Sequence, residues 1–323
     1  MQSKFPGHRK KVIIDCDVGV DDALALVLAF HSPELEVQAV TGVNGNVPLE
    51  QVFSNIQKVL ALIQPPKPPL IAKGADRPLG GKSIYSHSVH GEDGLGGVQI
   101  DFPEGEKWWH RFSGPAAELI PEIARKDPGE IILIAVGPLT NLALAFRKDP
   151  EGMKALKETV IMGGAVRTRG NITSHAEFNI FTDPLAAQIV LASAMPITLV
   201  PLDATHQVAL TPEFMEHRIH PSDSRFSRFL REVTGYDPGQ RHFRGGAKDI
   251  FLHDPLAVGV VIDPGLVRKE SLFLTVETEE GESFGRISEV GAGPRKIDVC
   301  LTVDSGKFLD LFISRLSVEN HGC

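Results

Sequence analysis

The chain has 323 residues, a net charge of −8 and an ordinary globular composition, enough to bury a sizeable core as one large domain or two modest ones. Its acidic balance, with a pI near 5.8, argues against a dedicated binder of nucleic acid or anionic membrane, which needs a basic face, and no window approaches the ~18 consecutive apolar residues of a membrane span. Cys16, Cys300 and Cys323 lie far apart with no CxxC spacing, so neither a disulfide framework nor a thiolate zinc site is indicated.

The opening "MQSKFPGHRKK" is followed by only a short apolar run before acids begin, which reads as a leaderless, cytoplasmic start. From there the chain alternates short β-rich runs with helical patterns. "KVIID" precedes "DDALALVLAFH", "VQAVTGV" precedes "PLEQVFSNIQKVLALI", "IILIAV" precedes "LTNLALAFR", and "ETVIM" is followed later by "DPLAAQIVLAS". This rhythm predicts an α/β fold, a mostly parallel central sheet flanked by helices on both faces. Cys16, inside the first of these runs, reads as a small buried residue. In such sheets ligands collect outside the carboxyl ends of the strands, and these ends carry "DCD", "GVNGN", "AVGPLTN" and "MGGA". Two long loops, about 74–110 and 163–182, break the rhythm, and loops of that length in a compact domain tend to be functional. Residues from about 205 to 250 read as helical and rich in Arg and His, with the glycines of a mobile segment near 222–252 that borders the site as a lid. The tail, 266–316, reads as additional strands and a closing helix. No repeat or composition break separates a second domain, so residues 1–323 are expected to form one.

The densest chemistry lies in "DCDVGVDD", which places Asp15, Asp17, Asp21 and Asp22 within eight residues, between two apolar runs. Like charges this close repel, steeply so once water is excluded, and require protons, hydrogen bonds or a cation. If "VIID" is a strand, Asp15 and Asp17 share a side and Asp21 and Asp22 open the next helix, so all four can face one point. A helix cap explains Asp21 or Asp22 singly but not the group. An EF-hand is ruled out, because Val20 and Leu26 stand where that loop needs Gly and Glu. An all-oxygen donor set suits a hard ion, Ca²⁺ before Mg²⁺. In "FLHDPLAVGVV", His253 and Asp254 precede a helix opened by Pro255, and Asp254 offers a closing ligand.

These residues resemble a known family. "DCDVGVDDA" is similar to the DxDPGxDDA motif of the inosine-uridine preferring nucleoside hydrolases, with Val18 in place of the common proline. "GVNGN" at 42–46, "HGEDGLGG" at 90–97, "VGPLTNLALA" at 136–145, "MGGA" at 162–165, "GNITSHAEFNIFTDPLAA" at 170–187 and "HDPLAV" at 253–258 follow in the family's order. The resemblance spans most of the chain. It implies a single nucleoside hydrolase domain with a Rossmann-like core, a homodimer or homotetramer, and calcium-dependent hydrolysis of the N-glycosidic bond of ribonucleosides, with a calcium-bound water activated by an Asp base.

Residue by residue, the resemblance implies that Asp17, Asp22 and Asp254 are carboxylate ligands of calcium and Val136 a ligand through its carbonyl. Asp15 and Asp21 hold the constellation, Asp21 also reaching the sugar. Asn46, Asn171, Glu177 and Asn179 bond the ribose hydroxyls, Met162 packs near the sugar, and His253 stands on the side of the leaving base. His90 is read as a base-side contact. Asp17 is the general base and His253 the acid that protonates the base as it leaves. Two departures stand out: "AVRTR" is one residue longer than the family pattern, and 236–252 matches it poorly. A calcium-dependent ribose or nucleoside-binding protein without turnover and a haloacid-dehalogenase-type phosphatase are the rival readings. The latter lacks its downstream Lys and second acidic pair.

Overall fold

The computed structural model describes residues 9–80, 82–100, 108–219, 222 and 224–316. Ten strands form one sheet: β1 (Lys10–Cys16), β2 (Leu35–Gly42), β3 (Leu70–Lys73), β4 (His110–Arg111), β5 (Ile131–Ala135), β6 (Glu158–Met162) and β7 (Ile197–Val200), then, after a separate antiparallel pair β8 (Ala209–Leu210) and β9 (Ile250–Phe251), β10 (Val267–Val276), β11 (Ile287–Val290) and β12 (Ile297–Val303). The spatial order is β11-β10-β12-β7-β6-β5-β1-β2-β3-β4. All pairings from β12 to β4 are parallel, and only β10 runs antiparallel to its neighbours β12 and β11.

The parallel strands are apolar throughout because both their faces are covered. Along β1, Val12, Ile14 and Cys16 join one core, with the helices Val20–Phe30, Leu49–Ile63, His253–Ile262 and Ser305–Leu316. Ile13 joins the other, with the helices Ala116–Lys126, Thr140–Lys148 and Pro184–Leu191. The expected three-layer α/β domain is therefore present, with the C-terminal strands and closing helix where the sequence placed them. Cys16 is buried, its thiol donating to the carbonyl of Thr41.

Two details differ from expectation. His253 and Asp254 lie inside the first turn of their helix rather than before it, since that helix begins at His253. The 205–250 region is helical only in part: a short turn of helix runs on to Ile219 and a second helix spans Arg225–Thr234, but 235–249 is irregular apart from one 3₁₀ turn. The helix Ala116–Lys126 tolerates Pro121 in its interior. Among the described residues no helix is long and apolar enough to cross a membrane.

The strand order has one reversal. The chain runs outward from β1 to β4, returns to β5 on the other side of β1, and proceeds outward again through β6 and β7. The carboxyl ends of β1 and β5 thus flank the topological switch point, where open α/β sheets form their ligand crevice.

Candidate active site

A cleft of about 680 Å³ opens at that point, and Asp21, Asn46, His90, Val136, Met162, Asn171, Glu177, Asn179, His253 and Asp254 all line it. Residues spread over most of the sequence converge because most follow a strand end or open a helix there, while His90 ends the short helix His87–His90 and Asn171 sits in the long loop 163–182. The helices Val20–Phe30 and His253–Ile262 pack side by side and are apolar all round, as fully enclosed helices are. Their amino ends present Asp21, Asp22 and Asp254 together: one carboxylate oxygen from each lies within 4.8 Å of the others. Helix amino termini favour negative charge, but not three carboxylates at once.

Asp17 adjoins this group. Its backbone N–H donates to Asp22 Oδ1 at 3.1 Å, and its Oδ2 accepts from the backbone N–H of Asn46 at 2.7 Å. Gly45 packs so closely on the Asp17 carboxylate that any side chain at 45 would overlap it. Asp17 Oδ1 is buried with no hydrogen-bond partner among the described residues. Asp22 is fixed by the N–H of Gly19 at 2.8 Å and the Asn46 amide at 3.2 Å. Asp15 stands apart from the three-acid group: one of its oxygens accepts from Thr41 Oγ1 and, at 2.7 Å, from the amide of Asn141. Expectation had all four acids of the motif facing one point; the strand instead turns Asp15 toward these two polar partners.

The electrostatic strain of this arrangement is large. Burial pushes Asp15 up to about 7 and Asp21 and Asp22 up to about 6, with Asp21 further raising Asp22. Burial, then repulsion from neighbouring acids, drives Asp17 and Asp254 well above the usual carboxylate range. Buried carboxylates in this state are held by protons or by a cation. A site with oxygen donors only, one of them unpartnered on Asp17, fits a hard divalent ion.

The polar residues of the loop 163–182 are tightly held. Glu177 caps the helix Phe178–Thr182: it accepts from the N–H groups of Asn179 and Ile180 at 2.8 and 3.1 Å, and from Gly164 at 2.8 Å. The Asn179 amide donates to the Val136 carbonyl at 2.7 Å and lies 3.6 Å from the Met162 sulfur. Asn171 accepts from the Phe178 N–H at 2.9 Å, so the long loop folds back on itself.

The two histidines are neutral. His90 Nδ1 accepts from the Val20 N–H at 3.0 Å, which leaves the ring proton on Nε2, and burial lowers its pKa to about 4. His253 Nδ1 lies 2.7 Å from Thr205 Oγ1, and burial followed by His206 and His90 lowers its pKa to about 3.

Several contributors escaped the sequence reading. Thr41 and Asn141 orient Asp15; Asn141 also donates to the Gly42 carbonyl at 3.1 Å and accepts from the Ala75 N–H at 2.8 Å. The "GPLTN" motif was the available signal. His206, Thr234, Arg244 and Phe251 also line the cleft, and Thr205 stands behind His253; Thr234, Arg244 and Phe251 fall in the 222–252 segment expected to border the site, though no local pattern marked them singly.

Residues 12–310 match the family described as inosine-uridine preferring nucleoside hydrolase. The chain is 36% identical over 316 residues to the inosine-uridine preferring nucleoside hydrolase of Crithidia fasciculata, covering 95% of this chain and 97% of the relative. It is 34% identical over 310 residues to the pyrimidine-specific ribonucleoside hydrolase RihA of Salmonella gallinarum, covering 94% and 97%. Among solved structures, a plant nucleoside hydrolase superposes with a TM-score of 0.86 at 30% identity, covering 97% of this chain and all of that one. A purine-preferring ribonucleoside hydrolase from Gardnerella vaginalis gives 0.84 at 32%, covering 95% and 98%. Neither the phosphatase nor the non-catalytic binding reading finds support among these relatives. The chain belongs to the inosine-uridine preferring nucleoside hydrolase family, and its reaction is hydrolysis of the N-glycosidic bond of ribonucleosides.

Proposed function

We propose that the reaction runs with calcium held by the carboxylates of Asp17, Asp22 and Asp254 and the carbonyl of Val136, and with Asp17 as general base. The observation that carries this reading is the buried, unpartnered Oδ1 of Asp17 beside crowded acids at the sheet's switch point. When bound, such a cation offsets the carboxylate charge and gives a water and the sugar hydroxyls a fixed place, turning an encounter into a positioned reaction.

Asp17 takes a proton from the water that attacks the anomeric carbon. Its Oδ2 is committed to the Asn46 N–H, so Oδ1 is the free acceptor. Asp21, Asn46, Asn171, Glu177 and Asn179 hold the ribose hydroxyls, a task that needs donors and acceptors together, while Met162 packs under the ring. The surrounding carboxylates favour the positive charge that develops on the sugar. Asp15, held by Thr41 and Asn141, fixes the strand end that carries Asp17.

His253 delivers the proton to the departing base as the imidazolium, which it becomes by taking a proton from water as negative charge grows on that base and raises its pKa. Its neutral state in the free site makes Nε2 a hydrogen-bond donor when the Thr205 hydroxyl donates to Nδ1, and His90 adds a donor through its own Nε2. The 222–252 segment, of which residues from Val233 on line the cleft, moves to admit and enclose the base. The physiological setting we favour is cytoplasmic nucleoside catabolism feeding purine or pyrimidine salvage, by a homodimer or homotetramer.

The decisive experiment measures free ribose released from inosine, uridine, cytidine, adenosine and guanosine, with calcium and after chelation. Ribose release that chelation abolishes and calcium restores is expected. Full activity after exhaustive chelation would remove the metal from the reading.

A further inference from the structure

The loop 163–182 carries Asn171, Glu177 and Asn179, yet one flank of it rests on a part of the molecule that contributes nothing to the cleft lining. That part is the antiparallel hairpin of β10 and β11, closed by the Gly285 N–H to the Glu277 carbonyl and the Glu277 N–H to the Arg286 carbonyl, both at 2.9 Å. Four contacts of different kinds join hairpin and loop. The ring of Phe284 meets that of Phe181 edge to face, with centroids 5.4 Å apart. Gly285, with φ of +78°, lies against the loop's last helix so closely that a Cβ there would come within 2.8 Å of the Phe181 Cα and 3.3 Å of the Ala176 Cβ. Ile287 packs on Gly164, whose N–H is one of the three held by Glu177. At the loop's start, Arg167 pairs with Glu270 at 3.0 Å and with Glu289 at 3.1 Å.

The two ion pairs are half-exposed and hold little by themselves. The aromatic pair and the buried Gly285 contact are different: they press on Ala176 and Phe181, which bracket Glu177 and Asn179 on both sides. A left-handed φ and a close backbone approach both require glycine at 285. The left-handed φ belongs to the bulge that sets Gly285 and Arg286 opposite Glu277; the close approach to Phe181 and Ala176 is the demand that the loop adds.

We infer that Phe284 and Gly285 are positioning residues for the reaction: the hairpin sets the place of the sugar-binding loop, and through it the grip on the ribose hydroxyls. This rests on the assignment of Asn171, Glu177 and Asn179 to the ribose. Neither residue lines the cleft, so their loss degrades recognition of the hydroxyls and leaves Asp17, Asp21, Asp22 and Asp254 as they were.

The test compares kcat/KM for p-nitrophenyl riboside and its 2-deoxyriboside, substrates whose leaving group needs no protonation. Misplacing a binding group by about 1 Å can cost ~10²-fold. In Phe284→Ala and Gly285→Ala, kcat/KM on the riboside is expected to fall roughly 10- to 100-fold. The 2-deoxyriboside, which offers the loop one hydroxyl fewer, should fall by a smaller factor than the riboside. Phe284→Tyr, which keeps the ring, should restore the wild-type ratio, and calcium affinity should stay constant in all three. Equal losses on both substrates, or an unchanged ratio in both Phe284→Ala and Gly285→Ala, would overturn the inference. A wild-type enzyme that does not distinguish the two sugars would overturn the ribose assignment, and the inference with it.

Discussion

The two walls of the cleft are built by different means. On the side proposed for the sugar and the cation, most groups sit at a strand end or in a helix's first turn, and several are bound to backbone: Glu177 by three N–H groups, Asp22 by those of Asp17 and Gly19, Asp17 by that of Asn46. On the side proposed for the base, Thr234, Arg244 and Phe251 come from a stretch whose middle, 235–249, has almost no regular structure, and Phe251 sits in the two-residue pair β8–β9 with its ring against those of His206 and His253. On the proposed reading, the parts of the reaction common to every ribonucleoside fall to the backbone-anchored wall, and the part that differs between bases faces the wall that can change without disturbing the sheet.

The largest effect that would break this contrast is expected at Asp17. Asp17→Asn keeps the shape and removes the base, and turnover on every nucleoside should fall by roughly 10²- to 10⁴-fold. Because the substitution also removes one of several crowded buried charges, the thermal midpoint of the metal-free protein should stay level or rise. Near-wild-type turnover would exclude Asp17 as the base, and a collapsed midpoint would mean that its role is structural.

His253 sits where the two walls meet, and its replacement should separate them. His253→Ala is expected to slow hydrolysis of nucleosides whose base must be protonated by about 10²-fold or more, and that of p-nitrophenyl riboside by less than about tenfold. Equal losses on both substrates would take His253 out of the acid role.

The smallest effect belongs to the base wall itself. Phe251 is 36% exposed at the cleft, and one aromatic contact contributes about 0.5–1.5 kcal/mol beyond its area. Phe251→Ala should therefore shift relative kcat/KM among the five nucleosides by a factor of roughly two to ten, with calcium affinity and thermal midpoint unchanged. Uniform loss across all five would show that this wall does not select the base.

The same division explains what could be read before the structure. The strands of the central sheet were legible because a strand covered on both faces is a plain apolar run, as in "VIID" and "IILIAV". The four-residue β3 and β7 and the two-residue β4 were not, being too short to show a period, and Pro121 masks the helix Ala116–Lys126. The acids were legible because four of them are adjacent in sequence. That Asp15 faces Thr41 and Asn141 instead of joining the others depends on how neighbouring strands align: Asp15 stands beside Thr41 across β1 and β2. The wall proposed for the base was legible only as the 222–252 segment expected to border the site; its single members, from Tyr85 to Phe251, meet only through the tertiary fold. "AVRTR", the odd stretch in the sugar loop, proves to hold Arg167, whose ion pairs bind the loop to the hairpin.

The separation of Asp254 from the other acids along the chain bears on how the molecule assembles. Asp17, Asp21 and Asp22 come with the first strand and helix, whereas Asp254 arrives with a helix formed near the end of synthesis. Until that helix docks, the amino end of Val20–Phe30 can stay hydrated and its carboxylates ionised at little cost. Docking removes the water and brings a further negative charge against them, so closing the core is opposed electrostatically unless protons or a cation are taken up in the same step. Completion of the hydrophobic core and completion of the catalytic centre are then one event, and no fragment lacking the last third of the chain can assemble the site.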